Sequence, residues 1–170
     1  MLIGSSLVTG GWAQKKRTSG TVLNMQAQGS GSLSVQFVAA PDGAALAGGT
    51  SGQRSLNLGS VSYNTGSRMA NVQTRSMQGR FVVSTKFGLQ IQDSSRQFSS
   101  ATVLAAVAFP SPAYTVRLDG LKLETIPQLI QGQARIGLIL QHRLEIEVPT
   151  SLTEKNSEIQ NAIVFQVIPN

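Results

Sequence analysis

Few residues in this chain are equipped for acid, base or metal chemistry. His142 is the single histidine among 170 residues, and cysteine is absent altogether. A general base needs a nucleophile and an orienting acid within hydrogen-bond reach, and no Gly-x-Ser-x-Gly elbow offers one. A metal held by one imidazole needs carboxylates beside it. His142 falls instead in the apolar series of an alternating stretch, which predicts a histidine in the core or at a strand break. Glu145 and Glu147, two apart, share one face of an extended strand. Carboxylates about 5–10 Å apart can hydrolyse a glycoside, but these two share a polar face with Arg135 and Arg143 rather than flanking a cleft. That pattern predicts a solvated, charge-compensated surface. Asp42, Asp93 and Asp119 each sit in turn sequences, where aspartate caps local backbone, and none belongs to a calcium-type acidic loop. Without cysteine there is no thiolate zinc site, iron–sulfur cluster or cysteine nucleophile. The glycines lack the strand–loop–helix setting and lysine of a phosphate cradle. The residues therefore predict no catalytic site, no metal and no cofactor: a protein that is not an enzyme.

The elements that must position these residues are strands. Gln133 to Val148 reads QARIGLILQHRLEIEV, with Ala134, Ile136, Leu138, Leu140, His142, Leu144, Ile146 and Val148 on one face. It is far longer than the usual strand of about 5–6 residues, so a bend or turn is expected near Gly137 or His142. Thr21, Leu23, Met25 and Ala27 form the apolar face of a first strand, ended by Gly29-Ser30-Gly31-Ser32. Leu33, Val35, Phe37 and Ala39 form a second, ended by Pro41-Asp42-Gly43, and residues 43–55 read as a surface loop. A short strand over 56–63 carries Gly59, the mark of a bulge or close backbone approach, and 64–66 turns the chain. Met69 to Met77 reads as an edge strand or a loop. Arg80 to Gln92 alternates most cleanly, with Phe81, Val83, Thr85, Phe87, Leu89 and Ile91 on one face. Ala101 to Phe109 is apolar on both faces except at Thr102, which predicts a central strand covered on both sides. In YTVRLDGLKLET, Asp119-Gly120 predicts a type I′ hairpin that sets Val116 against Leu123, Leu118 against Leu121 and Arg117 against Lys122. Thr125 to Ile130 predicts a single helical turn, 149–157 a polar loop, and Ile159 to Ile168 a last strand. Short strands punctuated by Gly, Pro and Ser predict an all-β, antiparallel, immunoglobulin-like β-sandwich of about 8–10 strands.

A chain this long forms one domain with a core large enough to need no staple. Charged residues are only 13%, against about 25% in an average soluble domain, so the surface is built of Ser, Thr, Gln, Asn and Gly. Residues 1–100 hold nine Lys/Arg and two acids, and 101–170 hold five and six. The basic residues form no tract beyond Lys15-Lys16-Arg17 and are not interleaved with aromatics, which excludes a nucleic-acid face. Residues 1–13 have the apolar run and small-x-small end of a signal-peptide remnant, with cleavage after Ala13. That run is too short to span a bilayer as a helix, which takes about 20 apolar residues, so no transmembrane segment is expected. Residues 14–19 read as a basic linker and 20–170 as the single sandwich domain, in a secreted, periplasmic or cell-surface protein.

After Ala13 the chain resembles secreted bacterial immunoglobulin-like pilin domains, including spore coat protein U-like subunits. The resemblance rests on the amphipathic strand Thr21 to Gln28 with its Gly/Ser break, on Leu56-Asn57-Leu58-Gly59-Ser60-Val61, and on the terminal strand ending at Asn170. It lacks the cysteine pair that many such subunits carry. The resemblance implies a structural subunit of a pilus, coat or surface assembly that associates with itself or with homologous subunits, the first strand completing a neighbour's sandwich. Thr21, Leu23, Met25 and Ala27 would then be the donor residues. The alternative expectation is a monomeric secreted module that binds carbohydrate or an envelope polymer.

Overall fold

The computed structural model of the chain describes residues 20–39, 54–62, 72–109, 114–153 and 158–170. The expected leader over 1–13 and linker over 14–19 lie outside these residues, as do the turn over 64–66 and most of the loop over 43–55. The described chain forms eleven strands and one helical turn: β1 (Gly20–Gly29), β2 (Leu33–Val38), β3 (Ser55–Ser62), β4 (Val72–Met77), β5 (Arg80–Asp93), β6 (Ser100–Val107), β7 (Thr115–Leu118), β8 (Leu121–Lys122), β9 (Gln128–Arg135), β10 (Ile139–Pro149), α1 (Thr150–Thr153) and β11 (Glu158–Pro169). They build the all-β sandwich that the alternation predicts. One sheet runs β3-β1-β11-β6-β9, and the other runs β2-β5-β10-β7-β8. In the second sheet β2 pairs with Gly88–Asp93 and β4 with Arg80–Thr85, so the two lie end to end along one edge of β5. Every described pairing is antiparallel except β1 with β11.

The inward residues of each strand meet between the sheets. Leu33, Val35 and Phe37 of β2, the Phe81-to-Ile91 series of β5, and Leu144, Ile146 and Val148 of β10 are buried from one side. Met25, Ala27, Ala101, Val103, Ala105, Ile163, Phe165 and Val167 are buried from the other. At the centre Phe37, Phe87 and Phe165 pack edge to face with ring centroids 5.7–5.9 Å apart, the arrangement that the aromatic quadrupole favours. Phe165 lies beside Ala105 on the neighbouring strand, where a small side chain makes room for the ring.

The long alternating stretch over 133–148 is two strands in two different sheets. It is divided at Gly137, one of the two expected positions. A turn over Ile136–Leu138, with Gly137 at φ 87°, carries the chain from β9 in one sheet to β10 in the other. Ile136 N–H donates to Ser99 O and Gly137 N–H to Ile91 O, at 3.1 and 2.8 Å. His142 therefore marks no bend and lies well inside β10. The Asp119-Gly120 hairpin forms in the predicted register, with φ of 50° and 86° at the two turn residues, as a type I′ turn requires.

Three local expectations change. Residues 125 and 126 bend and the chain leads straight into β9, with no helical turn, because β9 keeps its pairing to β6 through two register shifts rather than coiling. The one described helical turn is α1, in what reads as a polar loop. Strand β6 is interior but not central, lying between β11 and the edge strand β9, and Thr102, Leu104 and Ala106 on its outer face are only half buried, since no second layer among the described residues covers that side.

Candidate functional site

Each chemistry-bearing residue has a definite place. His142 sits opposite Phe87 in the β10–β5 register, on the inward face, and is 3% exposed. Its ring lies near those of Phe87 and Phe165, with centroids 5.6 and 6.3 Å away. Nδ1 meets Asp119 Oδ2 at 2.7 Å, whereas Nε2 is buried with no hydrogen-bond partner. Asp119 reaches inward from the hairpin turn, and its other carboxylate oxygen accepts the Arg143 N–H at 2.7 Å. Burial works to raise the Asp119 carboxyl, but the hydrogen bonds from His142 and Arg143 outweigh it and hold the group below its ordinary range. The ionised carboxylate accepts a hydrogen bond from Nδ1, and Nε2 lies on the aromatic side of the ring without a partner. The expected core histidine is what the fold contains, and its partner Asp119 ties the β7–β8 turn to β10.

Glu145 and Glu147 lie together on the outer face of the second sheet. Glu147 binds Arg80 at 2.8 Å and Arg117 at 3.0 Å, while Glu145 binds Arg143 at 2.8 Å and Arg75 at 3.6 Å. Arginines from β4, β5, β7 and β10 thus converge on two carboxylates in a flat ladder. The sequence points to Arg143 in this face. It also points to Arg135, but the turn at Gly137 puts that residue in the other sheet. Arg75, Arg80 and Arg117 come from distant segments and become visible only once the strands are in register. Lys122, opposite Arg117, is offset by Glu124 at 3.2 Å.

Asp93 closes β5 and organises the loop that follows. Its carboxylate accepts from Ser32 Oγ at 2.5 Å, from Ser95 N–H and Oγ, and from the Gln97 and Phe98 N–H groups at 2.7 and 3.0 Å. Partial desolvation opposes ionisation, yet these donors favour the charged form and push the carboxyl far below its usual range. This is the turn-capping role expected of it, with an added link to Ser32 in the β1–β2 corner. Among the described residues no three of His, Asp or Glu gather as a metal site, and no helix is long and apolar enough to cross a membrane, which leaves strands aside.

The candidate donor residues lie on β1, an interior strand flanked by β3 and β11. Met25 is 0% and Ala27 4% exposed, while Asn24, Gln26 and Gln28 face outward. The backbones of Thr21 and Leu23 pair with Ile159 and Asn161; their side chains fall outside the described ones. Two features distinguish how β1 is held. Its ladder to β11 is parallel from Gly20 to Gly29, and parallel pairing is slightly less stable per residue than antiparallel. Its ladder to β3 shifts register between Val22 and Asn24, with Leu58 and Gly59 forming the bulge that the glycine predicts. A groove of about 290 Å³ runs along the end of β1, lined by Gln28, Gly29, Ser30, Gln166, Val167 and Ile168. No family model matches the chain, and no curated protein matches it.

Proposed function

We propose that this protein is an exported, non-enzymatic structural subunit that assembles by exchanging β1 between copies or with homologous subunits. The observation that carries this reading is the position of β1. It fills an interior slot of its sheet and supplies Met25 and Ala27 to the core, yet among the described residues it joins the sandwich only through the corner Ser30–Ser32. A strand held by a parallel ladder on one side and a bulged ladder on the other is held less firmly than by two regular antiparallel ladders. The contacts that it makes in its own sandwich are the contacts that it would make in a neighbour's, the general logic of strand addition and domain swapping. The two candidate chemistries point the same way: a buried histidine and an arginine-paired glutamate face build a scaffold. A pilus, coat or cell-surface assembly is the setting.

The absence of cysteine makes a direct test possible. Gln26 and Val164 are Cα partners across the β1–β11 ladder, on neighbouring strands at about the separation a disulfide spans. The Gln26→Cys, Val164→Cys double variant, oxidised after folding, gives an intrachain disulfide wherever β1 stays in its own sandwich and an interchain one wherever it is exchanged. We expect a covalent ladder on a non-reducing gel, and filaments in negative stain. A protein whose chains all run as monomers, at concentrations up to its solubility, would overturn the reading.

A further inference from the structure

Gly29 is the last residue of β1, and the corner after it passes from one sheet to the other in three residues before β2 begins at Leu33. A Cβ placed on Gly29 would fall 2.1 Å from the Leu33 carbonyl oxygen, 2.7 Å from the Leu33 carbonyl carbon and 3.2 Å from the Ser34 nitrogen. All three are backbone atoms, so no change of rotamer relieves the clash and the corner itself must open. Gly29 is therefore glycine for lack of room. The closed corner is also fastened. Ser30 N–H donates to Val167 O at 3.0 Å and Leu33 N–H to Ser30 O at 3.2 Å. Ser94 N–H donates to Ser32 O at 3.2 Å, and Ser32 Oγ donates to Asp93 at 2.5 Å.

We infer that Gly29 is the steric latch that lets β1 fold back into its own sandwich, and that any side chain at this position drives β1 into the slot of a second copy of the chain. Closed and exchanged forms share every contact that β1 makes with β3, β11 and the core, so the conformation of the corner decides between them. A short hinge under strain favours exchange, and a longer one relieves it. The inference rests on the reading that β1 is exchangeable, and adds to it the residue that sets the balance and the identity of the partner.

The experiment places Gly29→Ala in the Gln26→Cys, Val164→Cys background. Parent and variant are unfolded in urea, refolded at equal concentration, oxidised, and analysed by non-reducing gel and by light scattering after size exclusion. The expected result is a severalfold larger interchain fraction for Gly29→Ala, with the mass of a dimer or larger. A Gly29→Ala protein that is monomeric, with an intrachain disulfide and the parent's melting temperature, overturns the latch. If the parent itself exchanges and the substitution leaves the fraction unchanged, the latch is wrong and the proposed function stands. If only the substituted chain exchanges, the latch is right and the proposed function of the native chain fails. Should Gly29→Ala precipitate, insertion of three Gly/Ser residues after Gly31 in that variant decides. Recovery of a soluble monomer with an intrachain disulfide supports the corner as the point of strain, and continued misfolding overturns it.

Discussion

Replacing His142 by leucine, which is close to the imidazole in volume, tests the claim that this ring is a core residue with one partner. The substitution removes the hydrogen bond from Nδ1 to the Asp119 carboxylate, 2.7 Å long; bonds to charged groups contribute about 1.5–3 kcal/mol. It also removes Nε2, which is buried with no partner and carries a penalty of about 1–3 kcal/mol. Asp119 is not stranded by the change, because its side chain is 43% exposed and still accepts the Arg143 N–H. The lost ring contacts with Phe87 and Phe165 cost about 0.5–1.5 kcal/mol, offset in part by the more apolar leucine. At the midpoints of these ranges the sum is a loss of about 1 kcal/mol. His142→Ala keeps the same polar changes but opens a cavity beside Phe87 and Phe165, and large-to-alanine changes in cores cost about 2–5 kcal/mol. Equilibrium urea unfolding of both variants is the assay, with alanine expected to fall at least about 1.5 kcal/mol below leucine. If leucine proves as damaging as alanine, the imidazole makes a polar interaction through Nε2 that this geometry lacks, and the core reading of His142 is wrong.

The acid limb of stability should be governed by Asp93 and Asp119. Both have folded-state pKa values below the unfolded value of about 3.9. Their contribution is thus fully present above about pH 4 and is lost as pH falls through the folded pKa values. Asp93→Asn should lower the urea midpoint at pH 7 and flatten its dependence between about pH 4 and 2, and an unchanged slope there counts against the capping role. Glu147→Gln should cost about 1 kcal/mol, since it loses two arginines that are themselves partly exposed. That cost should shrink in about 1 M salt, and one that does not shrink means that packing, not charge, is at stake. Gly120→Ala, at φ 86°, should cost about 1–2 kcal/mol in urea unfolding and leave the sheet content by circular dichroism unchanged.

What the sequence makes legible is whatever follows from period-2 alternation and from turn chemistry. The inward set of β5, the faces of β1 and β2 and the whole Asp119-Gly120 hairpin need nothing beyond neighbours in the chain. Pairings between distant strands are another matter. Glu145 and Glu147 already read as a compensated face, but three of their four arginine partners arrive from β4, β5 and β7. The contact of His142 with Asp119 joins two features each visible alone, a polar intruder in an apolar series and a turn aspartate. They meet only because Leu144 pairs with Leu118. The 125–130 segment misleads because Thr125 and Pro127 are local helix-start signals, whereas pairing to β6 decides the outcome. Gly29 reads as one member of a Gly/Ser break, and its crowding by the Leu33 backbone follows from the crossing between sheets, which no local pattern encodes.

The contrast between β1 and β11 explains why exchange is assigned to the first described strand rather than the last. Both are interior in the same sheet, and they are paired to each other along ten residues. Beyond that shared ladder β11 pairs antiparallel with β6 from Ile163 to Pro169, and Asn170 fastens its end. The Asn170 side chain donates to Gly132 O at 2.9 Å and to Ser100 Oγ at 3.2 Å, and it accepts from Thr102 Oγ1 at 2.6 Å. Two of these bonds reach β6 and one reaches β9, so withdrawing β11 breaks its half of the sheet in several places at once. Among the described residues, withdrawing β1 breaks one parallel ladder, one bulged ladder and the Gly29–Ser32 corner. Among the described residues β1 would leave by opening a single corner, so under the proposed exchange Gly29 is the residue that sets the balance between monomer and assembly.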